Sequence, residues 1–264
     1  MNKGAVSTEH YEVVNGIKLA FEQTGSGHPC LLLHGNRDCK ENFRELAPLL
    51  AEACGLEVIS IDFKGHGNSD KPDTGYSIDL FVEEIAGFIR NKGFDKVHLI
   101  GHSLGSTVSI ALVDRYPELV DRLVLMGASV GFKVKFQRPE FTRENFKRML
   151  QETNKRAAPY FFVEGYEEVK NRVLDQWLRM EYHVHMNLIQ LQHPDLTEAA
   201  GRIRNKTLLI YGEMDKSTPP SDGEIVQRLV GDAHLAIIPG TGHFMYMEEP
   251  YLVANEITPF LIGG

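Results

Sequence analysis

The chain has 264 residues, and 36 acidic against 28 basic side chains give it a net charge of −8. An acidic balance without a Lys/Arg run argues against nucleic acid and anionic membrane as its main partners. Its three cysteines, an odd number without metal-ligand spacing, are Cys30, Cys39 and Cys54. No signal-peptide core precedes Tyr11, and no apolar run approaches the roughly 18 residues needed to cross a bilayer. We therefore expect a cytoplasmic protein with reduced thiols.

The predicted elements begin with a hairpin, since strand-like residues 10–14 and 17–22 flank a turn at Asn15-Gly16. Short apolar runs, typical of strands covered on both faces, then alternate with amphipathic helical patterns. The runs are Cys30–Leu33, Val58–Ile61, Val97–Ile100, Leu123–Met126, Leu208–Tyr211 and Ala233–Ile238. The clearest helical patterns are Ile78–Arg90, Thr107–Tyr116 and Glu224–Val230. This alternation predicts an α/β fold with a mostly parallel, doubly wound sheet, in which ligands bind beyond the carboxyl ends of the strands.

One segment interrupts the alternation. From about Gly131 to Glu198 there are charged helical patterns and many aromatic residues, but no convincing buried strand. We interpret residues 131–198 as a helical cap inserted into a core domain formed by residues 1–130 and 199–264.

A candidate nucleophile follows the third of these apolar runs. Gly101-His102-Ser103-Leu104-Gly105 matches G-x-S-x-G in the required context, a strand before it and a helix after it. Glycines two residues either side leave room for a very tight turn, which exposes the serine hydroxyl at a helix N-terminus. There, backbone N–H groups and the helix dipole favour developing negative charge.

The base and its orienting acid are predicted after two later runs. Asp215 follows the run that ends at Tyr211, and His243 follows the run that ends at Ile238, so both polar groups lie just past strand ends. The order Ser, Asp, His is the one expected of this constellation. Asp215 is preferred as the acid because its short side chain fixes an imidazole with less freedom, and Glu213 is the alternative.

The oxyanion hole needs two backbone donors. One is predicted to be the N–H of Leu104, directly after the nucleophile. The second is predicted to be the N–H of Asn36, in the loop His34-Gly35-Asn36-Arg37 after the first buried strand, where Gly35 permits a tight approach.

These motifs together resemble the α/β-hydrolase superfamily, and the resemblance covers nearly the whole chain. His34-Gly35, residues 62–70, the elbow at Gly101–Gly105 and the loop Gly240–His243 carry it. The family often has arginine where this chain has Lys64, a departure that affects no catalytic role. The resemblance implies hydrolysis of esters or related acyl compounds, with a lid between the sixth and seventh core strands. Serine at the elbow excludes relatives of this fold that use an aspartate nucleophile, the haloalkane dehalogenases and epoxide hydrolases.

The remaining polar residues do not indicate a cofactor or metal. His34, His66, His98 and His102 are interpreted as structural hydrogen-bonding histidines, because one oriented imidazole suffices to activate a serine. His183 and His185 are two residues apart and do not share a helix face, so no metal site is predicted. No G-x-G-x-x-G or phosphate-binding loop is present, and no cofactor is expected.

The leading functional hypothesis is a carboxylesterase that cleaves small or medium acyl esters through an acyl-enzyme. Its substrate pocket is predicted to be lined by Met126, Trp177 and Phe244, and Cys39 is predicted to be a small packing residue. The abundant aromatic residues of the cap, from Phe132 and Phe136 onward, favour an apolar acyl or alkyl group in the substrate. One alternative uses the same triad as a carbon–carbon bond hydrolase, lactonase or acyltransferase, with Arg138 or Arg179 holding a dienoate carboxylate. Another is a slow-turnover ligand receptor on a hydrolase scaffold.

Overall fold

A computed structural model describes residues 9–131, 140–191 and 194–263. Its eight strands form one sheet in the order β1-β2-β4-β3-β5-β6-β7-β8. The strands are β1 (Glu9–Val14), β2 (Ile17–Gly25), β3 (His28–Leu33), β4 (Leu56–Ile61), β5 (Val97–His102), β6 (Val120–Met126), β7 (Lys206–Gly212) and β8 (Ala233–Ile238). Strands β3 to β8 pair in parallel, whereas β2 runs antiparallel to both of its neighbours. The predicted α/β class with a mostly parallel sheet is confirmed.

The six apolar runs all fall in strands, but the last differs from the others in burial. Strands β3 to β7 lie inside the sheet, and β5 is buried along its whole length. Strand β8 forms one edge of the sheet, and its residue Ile237 is 47% exposed. The expectation that this run is covered on both faces is therefore wrong, because fewer neighbouring side chains cover the faces of a strand at the edge of a sheet.

Helices cover both faces of the sheet and divide its core into two apolar clusters. One cluster contains Leu31, Leu99 and Leu123 together with side chains of the helices at residues 78–91 and 104–115. The other contains Leu32, Ile100 and Val124 together with side chains of the helices at residues 46–54 and 250–262. The two sets differ by one residue along each strand, as the two-residue side-chain period of a strand requires. The helices are α1 (Leu46–Cys54), α2 (Ile78–Asn91), α3 (Leu104–Arg115), α4 (Phe146–Phe161), α5 (Glu167–Arg179), α6 (Tyr182–Ile189), α7 (Thr197–Arg202), α8 (Pro220–Val230), α9 (Met245–Glu248) and α10 (Pro250–Ile262).

Between β6 and β7, the described residues contain four helices, α4 to α7, and no strand. Phe141, Phe146 and Leu150 are buried in a separate apolar cluster, on which Tyr182 and Met186 of α6 also pack. This segment thus has a small core of its own, as expected of a cap, while the division at residues 131 and 198 stays a prediction. No helix among the described residues is both long and apolar enough to cross a bilayer.

Candidate active site

Ser103 lies between β5 and α3 in a backbone conformation that few non-glycine residues adopt, with φ 52° and ψ −110°. The two flanking glycines make this turn possible. A Cβ on Gly105 would lie 2.1 Å from the carbonyl oxygen of Leu33, and one on Gly101 would lie 2.5 Å from the backbone of Gly105. The G-x-S-x-G spacing therefore has the steric origin that the sequence analysis assigns to it.

The backbone around Ser103 is fixed by the neighbouring strand. Its N–H donates to the carbonyl oxygen of Met126 at 2.9 Å, and Ser106 Oγ donates to the same oxygen at 3.0 Å. Leu104 is the first residue of α3, so its N–H has no partner within the helix. That free donor is what the predicted role of Leu104 requires.

Asp215 and His243 are in direct contact. His243 Nδ1 lies 2.7 Å from Asp215 Oδ2, although the two residues are 28 positions apart in the chain. The other carboxylate oxygen accepts from the backbone N–H groups of Ser217, at 2.7 Å, and Thr218, at 3.1 Å. Thr218 Oγ1 also donates to Asp215 Oδ2 at 2.8 Å, so the carboxylate is held from several sides.

The alternative acid, Glu213, points elsewhere. Its side chain is exposed, and its Oε2 accepts from the N–H of Gly240 at 2.9 Å. Of the two acids that the sequence leaves open, only Asp215 contacts the His243 imidazole.

Burial alone would lower the pKa of His243, but the charge and hydrogen bond of Asp215 outweigh it and raise this pKa above its ordinary value. Because Nδ1 of His243 is hydrogen-bonded to Asp215, Nε2 is the ring nitrogen that can exchange a proton with a reacting group. The arrangement therefore favours an imidazolium that forms transiently during reaction.

Ser103 is tied to this pair through its chain neighbour. His102 Nε2 lies 2.9 Å from the carbonyl oxygen of His243, and the two rings lie 4.7 Å apart between centroids. Gly127 leaves room for the His243 ring, since a Cβ at this position would lie 3.3 Å from His243 Cε1. The structure thus brings Ser103, Asp215 and His243 to the same side of the molecule, just beyond the carboxyl ends of β5, β7 and β8.

The predicted second oxyanion donor lies at the same edge. Asn36 follows β3, and Gly105 of the elbow packs against the end of that strand at Leu33. The next residue, Arg37, adopts a left-handed conformation with φ 65°. The sharp loop brings the Arg37 guanidinium carbon to 4.0 Å from the centre of the Trp177 ring, and Nη1 donates to Asn154 Oδ1 of the cap at 2.9 Å.

A buried carboxyl group, which the sequence analysis missed, lies beside the triad. Asp38 accepts a hydrogen bond from Trp177 Nε1 at 3.1 Å, and its other oxygen lies 3.8 Å from His102 Nδ1. Burial raises the pKa of Asp38 to about 6, against the lowering effects of the Trp177 bond and of His243 and Arg37. No local sequence signal marks this residue, because Trp177 is 139 positions away.

A second buried carboxyl group, also missed, lies under the histidine loop. Glu248 Oε2 accepts from the N–H of Gly242 at 2.6 Å, and burial raises the pKa of Glu248 to about 7. Asp38 and Glu248 are both close enough to His243 to favour its cationic form.

The three predicted pocket residues are all buried and belong to one apolar cluster. Met126 ends β6, Trp177 comes from α5, and Phe244 follows His243. Phe162 of the cap stacks on Phe244, with ring centroids 5.2 Å apart and planes 7° apart. Their role as pocket lining stays a prediction. An open cleft of about 790 Å³, lined by residues of α2, α3 and α7, includes none of the triad.

The other predicted residues lie in several different environments, and three of them lie outside the described residues. Burial lowers the pKa of His34 to about 4 and of His66 to about 3, and both rings contact backbone carbonyl oxygens, as structural histidines do. Cys39 is buried and packs beside Gln176, as expected of a small packing residue. Arg179 is exposed. Phe132, Phe136 and Arg138 lie outside the described residues.

The two cap histidines have separate environments. His183 Nε2 lies 3.0 Å from the carbonyl oxygen of Lys71, whereas the buried His185 ring packs against Phe141 and Phe146. They are not brought together as a pair of metal ligands would be.

A family model described as alpha/beta hydrolase fold matches residues 29–250. The chain belongs to this family, and it is a hydrolase. It is 29% identical to a 2-hydroxy-6-oxo-6-(2'-aminophenyl)hexa-2,4-dienoic acid hydrolase of Metapseudomonas resinovorans, over 96% of this chain and 90% of that one. It is 26% identical to a 2-(acetamidomethylene)succinate hydrolase of Mesorhizobium japonicum, over 94% and 93% of the two chains. An esterase from Exiguobacterium antarcticum shares the fold, with a TM-score of 0.80 and 24% identity over 97% of this chain and 99% of that one.

Proposed function

We propose that this hydrolase is a serine carboxylesterase in which Ser103, His243 and Asp215 form the catalytic triad. The observation that carries the proposal is the contact between His243 and Asp215 at the sheet edge where Ser103 stands on a strained strand-to-helix turn. A strained residue is retained where its geometry serves a function, and a nucleophile elbow is such a place.

In the proposed reaction, Ser103 Oγ attacks the ester carbonyl while His243 Nε2 takes the hydroxyl proton. The N–H groups of Asn36 and Leu104 bind the oxygen that becomes negative. His243 then gives its proton to the leaving alcohol, and an acyl-enzyme remains on Ser103. Water, deprotonated by His243, releases the acid and restores the serine.

The substrate is proposed to be a small molecule held among apolar side chains, with Met126, Trp177 and Phe244 at its boundary. Phe161, Phe162 and Trp177 put aromatic surface from the cap next to His243 and Phe244. The acidic net charge supports a partner that is neither nucleic acid nor anionic membrane, and the expected cytoplasmic location is kept as part of the proposal.

The test is hydrolysis of p-nitrophenyl esters across a series of acyl lengths, with Ser103→Ala as the control variant. We expect turnover with a defined chain-length optimum, and loss of the acyl-enzyme and of at least about 1000-fold in kcat in Ser103→Ala. Equal turnover by the variant would refute the assignment of the nucleophile.

A second candidate, carbon–carbon bond hydrolysis of a dienoate, is favoured by Arg37. This cation lies one residue from the proposed oxyanion donor, and burial lowers its pKa only to about 10, so it stays charged at neutral pH. Arginine suits a carboxylate because its N–H groups form a planar fork. Both curated relatives described above have a carboxylic acid in their names.

Arg37→Gln separates the two candidates, with Arg228→Gln as the control because Arg228 is exposed on α8 and has no proposed role in binding. If the natural substrate carries a carboxylate, Arg37→Gln will raise KM for a 2-hydroxy-6-oxohexa-2,4-dienoate by at least about 10-fold and leave KM for a neutral ester unchanged. Faster hydrolysis of neutral esters than of the dienoate, with no selective effect of Arg37→Gln, favours the carboxylesterase.

A further inference from the structure

A second cluster of polar side chains lies at the amino ends of three parallel strands, opposite the carboxyl ends where the proposed catalytic residues lie. His28 is the first residue of β3, and His98 and Asp121 are the second residues of β5 and β6. His98 lies on β5, five residues before Ser103, and the rise of a strand separates these two residues by about 16 Å along the chain. The cluster is therefore separate from the proposed catalytic residues.

The strand register brings the three side chains together. Cys30 pairs with His98, so His28 precedes that pair by two residues and lies on the same face of the sheet. The ladder between β5 and β6 shifts between Val97 and Leu99, which leaves His98 opposite an extra residue of β6. Such a bulge redirects a side chain that would otherwise point away.

The distances suit a metal ion. His98 Nδ1 lies 3.5 Å from Asp121 Oδ2, and the rings of His28 and His98 lie 4.4 Å apart between centroids. Each of the three residues offers a ligand atom, and these atoms all lie within 4.8 Å of one another. Ligands of tetrahedral zinc lie about 3.4 Å apart, given metal–ligand distances of about 2.0–2.2 Å. One pair is already at that spacing, and the exposed His28 side chain needs to turn inward by at most about 1.4 Å.

A buried nitrogen points into the cluster without a hydrogen bond. His98 is 5% exposed, and among the described residues its Nδ1 has no hydrogen-bond partner. This histidine thus differs from His34, both of whose ring nitrogens have backbone partners. An unsatisfied buried polar atom is uncommon and calls for an unseen partner.

We propose that His28, His98 and Asp121 bind a divalent transition metal, of which zinc fits best, with water completing a tetrahedral site. Two imidazoles and one carboxylate are ligands that zinc accepts. The site departs from the sequence-based expectation of no metal, because its members are spread over 94 residues and have no motif spacing.

The charges around the site allow a cation to enter. Arg122, the nearest cation along the chain, donates to the carbonyl oxygens of Phe260 and Gly263. Among the described residues it makes no ion pair with Asp121.

The site's consequence is structural rather than catalytic, since a metal there joins β3, β5 and β6 at the edge away from Ser103. Binding to the folded chain alone stabilises that chain in proportion to the logarithm of free metal over Kd. At a free zinc concentration about 100 times Kd, the melting temperature should rise by about 5–10 °C.

The experiment titrates tag-free protein with zinc by calorimetry and follows the melting temperature. His28→Ala and Asp121→Asn change exposed residues and leave the fold intact, and His234→Ala, an exposed histidine on β8, is the matched control. We expect one zinc per chain, a Kd at least about 10-fold weaker in the first two variants, and no change in the control. X-ray absorption of the zinc complex should show two imidazole ligands.

Either of two results overturns the proposal. The first is a lack of saturable zinc binding, which would leave water as the partner of His98. The second is an equal Kd in all variants, which would locate the zinc at other groups such as His183 with Glu181, whose Nδ1 and Oε2 atoms lie 3.6 Å apart. Both readouts are independent of ester hydrolysis.

Discussion

Glu248→Gln should stabilise this protein, and the stabilisation should grow as the pH rises. Glu248 is 7% exposed, and its Oε1 has no hydrogen-bond partner among the described residues. Burial is the main reason that its pKa rises from 4.5 to about 7, against the lowering effects of the Gly242 bond and of His243. Glutamine keeps an oxygen for the Gly242 N–H and replaces the unpaired oxygen by a neutral NH₂ group.

The size of this stabilisation follows from the difference in proton binding to Glu248 between the folded and the unfolded chain. Between pH 4.5 and 7 the folded chain holds a proton on Glu248 that the unfolded chain has lost, so stability falls as the pH rises through this window. The cost of the glutamate is about 1 kcal/mol near pH 5 and levels off at about 3 kcal/mol above about pH 8, since one unit of pKa is worth about 1.4 kcal/mol. At high pH the variant should therefore melt about 5–10 °C above the wild type.

The assay is chemical denaturation of both proteins at several pH values, with Glu52→Gln, an exposed carboxylate on α1, as the control. The control should differ from the wild type by less than about 0.5 kcal/mol at every pH. A stability gap between Glu248→Gln and wild type that does not widen from about pH 5 to about pH 8.5 would refute the reasoning.

Two further predictions concern the triad and the elbow. Asp215→Asn should lower kcat for p-nitrophenyl esters by about 10⁴-fold with little change in folding, because the amide no longer selects the required tautomer of His243; a loss below about 10-fold, measured at saturating substrate, would contradict the role of Asp215. Gly105→Ala should destabilise the fold by about 3 kcal/mol in urea unfolding, because its Cβ would lie 2.1 Å from the Leu33 carbonyl oxygen. Gly201→Ala, on a helix where a Cβ meets nothing within 4 Å, should instead be neutral or stabilising by up to about 1 kcal/mol.

The strand assignments could be predicted because buried parallel strands have a local signature. Each is a short run of apolar residues, and the six runs that the sequence analysis identifies as strands all lie in strands. The elbow could be recognised from its local G-x-S-x-G motif, although only the steric demand on Gly101, which meets Gly105, is local. The demand on Gly105 comes from the Leu33 carbonyl oxygen of a neighbouring strand. The exposure of β8 was not predictable in this way, because the position of a strand within a sheet depends on the whole topology.

The surroundings of the triad could not be predicted, because they come from distant parts of the chain. Asp38 meets Trp177 across 139 positions, and the His102 ring meets the carbonyl oxygen of His243 across 141. Thr218 lies three residues after Asp215, but a threonine at that spacing has no distinctive pattern. Burial raises the pKa of Asp38 to about 6 and that of Glu248 to about 7, and burial depends on tertiary packing.

The cap and the triad are joined through the backbone at the end of α4. The carbonyl oxygen of Phe161 accepts from the N–H of His243 at 2.9 Å, and that of Tyr160 accepts from the N–H of Lys216, directly after Asp215, at 3.2 Å. Consecutive carbonyl groups of one cap residue pair thus hold both the base loop and the acid loop. The element that would select the substrate is therefore also one that positions the proposed catalytic base. A cap rearrangement that moved these two carbonyls would change both the pocket and the alignment of His243, so selectivity and rate in this enzyme are expected to be coupled rather than separable.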